Sequence, residues 1–167
     1  GGDVAMMTIA DLMTADPVSI ASGATVAEAA ETLHGRGISC VLVADGGRLA
    51  GIVTASDLCG RVLAAGRPGD TPVSAVMTHD PVSLPPDSLG LDAVSMMIER
   101  GIGHLPVVEG GRPVGIVTRT NLLLSRALST PVLLGKIARA GDDAALASVT
   151  AEVPQFLAQL VGAGAAS

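Results

Sequence analysis

Apolar residues in this chain form two kinds of run, and the two kinds alternate. Val26, Ala29, Ala30 and Leu33 recur at helical spacing, which predicts a helix over Thr25 to His34 closed by Gly35 and Gly37. Cys40-Val41-Leu42-Val43 is a short continuous apolar run with β-branched members, as in a buried strand. Asp45-Gly46-Gly47-Arg48 then reads as a hairpin turn, with Ala50 to Thr54 as the return strand. Ser56 to Ala64 reads as a second helix. Upstream, Asp11-Leu12-Met13 is a short lead-in, and Pro17 biases Val18-Ser19-Ile20 towards an extended form. The order is β-α-β-β-α.

The same pattern returns 64 positions later. Residues 13–58 align with 77–122 without a gap, and 19 of the 46 positions are identical. The identities fall in blocks: Met13-Thr14 with Met77-Thr78, Asp16 to Ser19 with Asp80 to Ser83, Arg36-Gly37-Ile38 with Arg100-Gly101-Ile102, and Gly51 to Thr54 with Gly115 to Thr118. One fold unit is therefore present twice. In the second copy, Leu91, Val94, Met97 and Ile98 form the helix face, and Leu105-Pro106-Val107-Val108 the strand. Pro106 predicts a sheet edge or a strand end there. The expected division is unit 1 over 8–66, a turn-rich linker over 67–72, unit 2 over 73–127 and a tail over 128–167. A unit of about sixty residues is marginal alone, so the two are expected to share a core.

Composition narrows the function. Apolar residues are 49% of the chain and charged residues 16%, with a net charge of −6 and a single lysine, Lys136. Nucleic-acid binding needs a basic surface, which this balance argues against. Trp and Tyr are absent and Phe156 is the only Phe, so a bound purine would lie between aliphatic side chains. No apolar run reaches the roughly 18 residues that span a bilayer. Two cysteines, Cys40 and Cys59, are too few for a disulfide framework or a metal site, and cytoplasmic residence is the expectation. Met96-Met97 reads as core filling.

Thr54 stands three residues before Asp57 at a helix start, and Thr118 stands likewise before Asn121. Such a pair is a common helix cap. It can also present a hydroxyl and a carboxylate to a ribose. Asp16 and Asp80 precede prolines and read as turn starts. No nucleophile–base pair or phosphate-cradling glycine loop is evident, so no enzyme activity is expected.

The Met-Thr lead-in, the Pro-Val strand, the Gly-Ile edge and the Gly-Ile-Val-Thr-x-x-Asp-Leu motif, twice in order, resemble the cystathionine-β-synthase (CBS) domain. The resemblance covers about residues 8–127. It implies an α+β fold of two β-α-β-β-α units in pseudo-twofold tandem, a Bateman module that often forms homodimers through its helices. It also implies clefts that hold AMP, ATP or another adenosyl compound without a required cofactor or metal. In the first cleft, Ile52, Thr54, Ser56 and Asp57 would face Thr78, Asp80, Val82, Ile102, Gly103 and His104. Ile52, Val82 and Ile102 would flank adenine, Asp57 would accept from ribose, and His104 would reach a phosphate when protonated. In the second cleft, Ile116, Thr118, Thr120 and Asn121 would face Thr14, Asp16, Val18, Ile38, Ser39 and Cys40, with Arg119 available to phosphate. Asn121 departs from the family's Asp and offers one neutral acceptor oxygen.

The tail has helical patterns: Val132, Leu133, Ile137 and Ala140 on one face, Asp142 opening a second helix, and Val153, Phe156, Leu157 and Leu160 on a third. It resembles the connector after the CBS pair in bacterial signalling proteins with cyclic-nucleotide-binding and nucleotidyltransferase-like domains. That resemblance implies a fragment whose covalently linked effector lies outside this chain. A free-standing protein with a helical tail is the alternative. The expected function is regulatory sensing of adenine nucleotides. The alternative is a structural dimerisation module with empty clefts.

Overall fold

The computed structural model describes residues 4–128. The tail helices expected beyond residue 128 lie outside the described residues. A 3-10 turn, Val4–Met6, precedes α1 (Ile9–Leu12), β1 (Thr14–Ala15), β2 (Ser19–Ile20), α2 (Val26–Arg36), β3 (Cys40–Asp45) and β4 (Arg48–Thr54). One turn of α-helix, α3 (Ala55–Asp57), runs on as a π-helix over Leu58–Leu63. After a 3-10 turn at Val73–Ala75 come β5 (Thr78–His79), α4 (Gly90–Arg100), β6 (His104–Glu109), β7 (Arg112–Thr118) and α5 (Arg119–Leu128). The architecture is α+β, with strand orders β2-β3-β4-β5 in one sheet and β1-β7-β6 in the other.

The repeat is preserved to the register. Cys40 pairs with Thr54 and Asp45 with Arg48, while His104 pairs with Thr118 and Glu109 with Arg112. Both hairpins slip at the same place, between Val43 and Ala44 and between Val107 and Val108. Gly46-Gly47 and Gly110-Gly111 take positive φ at both central turn positions, the mirror-image turn whose twist suits a hairpin.

Each copy gives its lead-in to the other. β1 pairs with β7 through Thr14–Ile116, and β5 pairs with β4 through Thr78–Ile52. Gly51 and Gly115 permit this crossing. A Cβ on Gly51 would lie 2.5 Å from Met77 Sδ and 2.8 Å from the Thr78 carbonyl, and one on Gly115 would collide with Met13. The segment before α1 completes the exchange: Gly90 N–H donates to Met7 O at 2.8 Å, as Val26 N–H donates to Thr71 O at 2.8 Å.

Two cores form, and each is completed by the other copy. Val26, Ala29, Leu33, Val41, Val43 and Val53 centre the first, with Val73, Val76 and Met77 packed in; Ala93, Met97, Leu105, Val107 and Val117 centre the second, with Ile9 and Leu12 packed in. A third cluster, Cys40, Leu42 and Ile52 with Leu49 and Ile116 against it, joins the two sheets.

Several local expectations change. Gly35 lies inside α2; Gly37 alone caps it, with φ 62°. Thr25 is the N-cap rather than the first helical residue, and its side chain forms a capping box with Glu28. The second helix of copy 1 starts at Ala55, not Ser56, and is mostly π-helical, because the Ala64 N–H reaches back five residues to the Cys59 carbonyl at 2.9 Å. The leading strand of copy 2 shrinks to one bridge, Leu84–Val107. Pro106 supplies the reason. The matching Leu42 N–H donates to Val18 O at 3.0 Å, and proline has no N–H to repeat that bond with Val82. Pro106 thus sits on the edge strand β6, as expected.

Candidate functional site

Two turns, at the ends of β4 and β7, carry the candidate residues. In the first, Thr54 Oγ1 accepts from Asp57 N–H at 3.1 Å and Asp57 Oδ2 accepts from Thr54 N–H at 2.9 Å. The capping box is therefore real. It consumes one carboxylate oxygen. The other, Oδ1, lies 3.8 Å from Arg61 Nε, while Arg61 Nη1 donates to the Val76 carbonyl at 2.8 Å. The Asp57 side chain keeps 17% of its surface exposed.

The second turn uses an amide. Asn121 Oδ1 accepts from Thr118 N–H at 2.9 Å and from its hydroxyl at 3.0 Å, and Thr118 Oγ1 accepts from Asn121 N–H at 3.2 Å. Asn121 Nδ2 then donates to Thr14 Oγ1 at 3.4 Å, across to the other copy. Asp57 has no amide N–H for an equivalent bond to Thr78. The two turns share a cap but differ in what they leave free.

The remaining first-cleft residues fall as follows. Thr78, on β5, is exposed beside Ile52. Asp80 follows it, exposed, with φ 43°, and its N–H donates to Ala50 O at 3.2 Å. Asp16 mirrors it with φ 51°. Both are more than turn starts: a left-handed conformation in a non-glycine residue is uncommon and is tolerated best by Asp and Asn. Val82 and Ile102 are half-buried against the copy 2 core, and Ser56 is exposed. Ile52 is 7% exposed, held in the cluster between the sheets, so it offers adenine little surface.

In the second cleft, Thr14 is exposed on β1 beside half-buried Ile116. Val18 and Ile38 are half-buried against the copy 1 core, and Thr120 is half-buried in α5. Cys40 is buried, which pushes its thiol up to about 12, so it stays protonated. Arg119 is exposed and packs on Gly103, where a Cβ would lie 3.3 Å from its Cζ and Nε.

His104 and Ser39, expected in different clefts, meet: Ser39 Oγ and His104 Nε2 are 2.9 Å apart. Burial pulls the His104 pKa below its ordinary value, the Arg119 guanidinium adds to the fall, and Asp57 opposes it. Protonation is thus disfavoured relative to an ordinary histidine, which weighs against a charged phosphate ligand here. Sequence reasoning missed the Ser39–His104 link and Arg61. The aligned repeat did carry a signal, since Ser39, Cys40 and Ala55 stand opposite Gly103, His104 and Arg119.

Apart from these turns, an apolar hollow of 780 Å³ is lined by Val4, Leu91, Val94, Ile98, Leu122 and Leu123 among others. Among the described residues no cluster of His, Cys, Asp and Glu gathers as a metal site, and no helix is long and apolar enough to cross a membrane.

Comparison with known proteins gives this geometry its class. The CBS-domain family model matches residues 9–64 and again 73–127, and the chain belongs to that family as a tandem pair. The CBS domain-containing protein YhcV of Bacillus subtilis (strain 168) is 33% identical over 121 residues, covering 72% of this chain and 86% of YhcV. CBSCBSPB3 of Arabidopsis thaliana is 37% identical over 118 residues, covering 70% of this chain, which spans only 21% of that longer relative. The CBS domain pair of protein MJ0100, solved with 5′-methylthioadenosine and S-adenosyl-L-methionine, superposes with a TM-score of 0.66 at 26% identity, over 74% of this chain and all of that one.

Proposed function

We propose that this CBS pair is a non-catalytic regulatory module whose clefts bind an adenine nucleotide of the AMP, ADP or ATP type. In this reading the module, units 8–66 and 73–127 joined by 67–72, resides in the cytoplasm and reports ligand state to a linked effector domain. The observation that carries it is the first turn. Asp57 spends Oδ2 on the helix cap, and its Oδ1 has Arg61 Nε at 3.8 Å, at the end of the strand that pairs with the other copy's exposed lead-in. A carboxylate oxygen at this turn suits a ribose hydroxyl. The adenosyl ligands bound by the related MJ0100 pair support the same ligand class. The second cleft, with Thr14, Ser39, Thr118 and Asn121, is the weaker partner, because Asn121 already bonds Thr14.

The test is a calorimetric panel of AMP, ADP, ATP, cyclic nucleotides and S-adenosylmethionine. Binding of at least one, with a higher melting temperature when it is present, is expected, since a ligand of the folded state stabilises it. No binding and no shift across the panel refutes nucleotide sensing.

The capping boxes favour a second reading: a dimerisation module whose Thr-Asp turns only start helices. Leu63, Leu91 and Ile98, at 77%, 54% and 76% exposed, supply apolar helix surface for a homodimer in either reading. Light scattering of Ile98→Glu should show dissociation at micromolar concentration. A parent that is already monomeric refutes the dimer.

A further inference from the structure

The two clefts are joined by a short run of hydrogen bonds through their helix starts. Ala55, at the start of α3, donates its N–H to the Ser39 carbonyl at 2.9 Å. Ser39 Oγ bonds His104 Nε2 at 2.9 Å, between the copies. The next residue back, Gly103, accepts from Arg119 N–H at 3.1 Å, at the start of α5. Asp57 stands in the first of these helix turns and Asn121 in the second. The side chains around the crossing fit one another asymmetrically. Gly103 leaves room for Arg119, whereas the matching Ser39 faces the small Ala55.

We infer that the Ser39–His104 bond couples the two clefts, so that a ligand seated on one helix start changes the affinity of the other cleft. This rests on the clefts binding an adenosyl ligand and adds how they communicate. A ligand in the first cleft displaces or fixes α3 and, through Ala55, the Ser39 edge. His104 passes that constraint to the Gly103 edge, and Arg119 passes it to α5. Coupling of this kind is reciprocal, so filling the second cleft acts on the first by the same factor. A coupling that disappears when this one bond is removed is the measurement that fixes the route.

The experiment is calorimetric titration of AMP into the full chain. The second-cleft affinity in the intact protein is compared with that in Asp57→Ala, where the first cleft is weakened. The two should differ by about fivefold or more. In Ser39→Ala, and separately in His104→Cys, which installs the residue of the other copy, the ratio should fall towards one. The double variant should do no more than either single. Melting curves confirm that each variant folds, and His104→Cys serves if Ser39→Ala does not. A ratio near one in the intact protein, or a ratio unchanged in both variants, overturns the coupling while leaving nucleotide binding intact. AMP heat absent from every protein, together with a silent nucleotide panel, overturns both, because no second ligand then exists to couple.

Discussion

The two copies follow one plan but are not equally fastened. Three amide donors that fasten the first copy are prolines in the second. Ser22 N–H donates to Asp45 Oδ1 at 3.0 Å, Leu42 N–H to Val18 O at 3.0 Å, and Leu49 N–H to Gly111 O at 3.0 Å. Their counterparts are Pro86, Pro106 and Pro113, none of which can donate. The first bond also holds the Asp45 carboxyl below its usual range. The second hairpin keeps its register nonetheless, because the Leu42 N–H points away from the partner strand β4 and its loss spares the ladder. What goes is the leading strand, β2 in the first copy and a single bridge in the second. A repeat can thus lose peripheral bonds and keep its fold, provided the core face and the crossing glycines stay.

The largest expected effect sharpens where each copy draws its stability. Leu105 is fully buried, and its counterpart Val41 is too. Leu105→Ala should cost about 2–5 kcal/mol. Val41→Ala should cost roughly 0.8 kcal/mol less, for one fewer methylene. Urea unfolding with an unchanged slope reads both. Equal costs would mean that the second core relaxes around the gap.

The next contrast concerns the turns. Asp57→Ala should weaken adenine-nucleotide binding about ten- to a hundredfold, and Asn121→Ala tenfold or less, since bonds to a charged acceptor are worth ~1.5–3 kcal/mol against ~0.5–1.5. Titration of AMP and ATP beside melting curves decides it. An Asp57→Ala protein that binds normally but melts earlier would reduce Asp57 to a cap.

A smaller contrast lies at the helix starts. Thr25 and Glu28 make a full capping box in α2, whereas Leu89 can only donate its N–H to Asp92 Oδ2, at 2.9 Å, in α4. Thr25→Ala should cost ~1 kcal/mol, and Leu89→Thr should recover stability by completing the second box. Thermal denaturation of the two variants shows opposite signs if this is right.

The smallest effect is in pH. The folded pKa of His104 lies below its ordinary 6.5, so between those values the unfolded chain holds a proton that the folded chain does not. Stability is therefore full above about pH 6.5 and falls as pH drops through the folded pKa. His104→Cys should flatten this part of the profile. A profile that stays the same assigns the slope to other groups.

Much of this was legible in the residues. The 64-residue offset gave the two units, and the Gly-Gly turns and β-branched runs gave both hairpins, because turn geometry and burial act over a few neighbouring residues. Pro106 marked an edge for the same local reason. Thr54 with Asp57 was legible as a cap, but the ion pair of its second carboxylate oxygen with Arg61 was not, since that depends on how the π-helical turn carries Arg61 back. The π-helical turn after α3 was missed because its pattern of apolar residues fits an α-helix equally well over so short a span. The left-handed Asp16 and Asp80 were hidden for a related reason: an Asp-Pro pair allows several turns, and the strand it must join selects one. The lowered pKa of His104 and its bond to Ser39 came only from the tertiary structure. Residues 65 positions apart in sequence met there, and burial and the charge of Arg119 are properties of the packed whole.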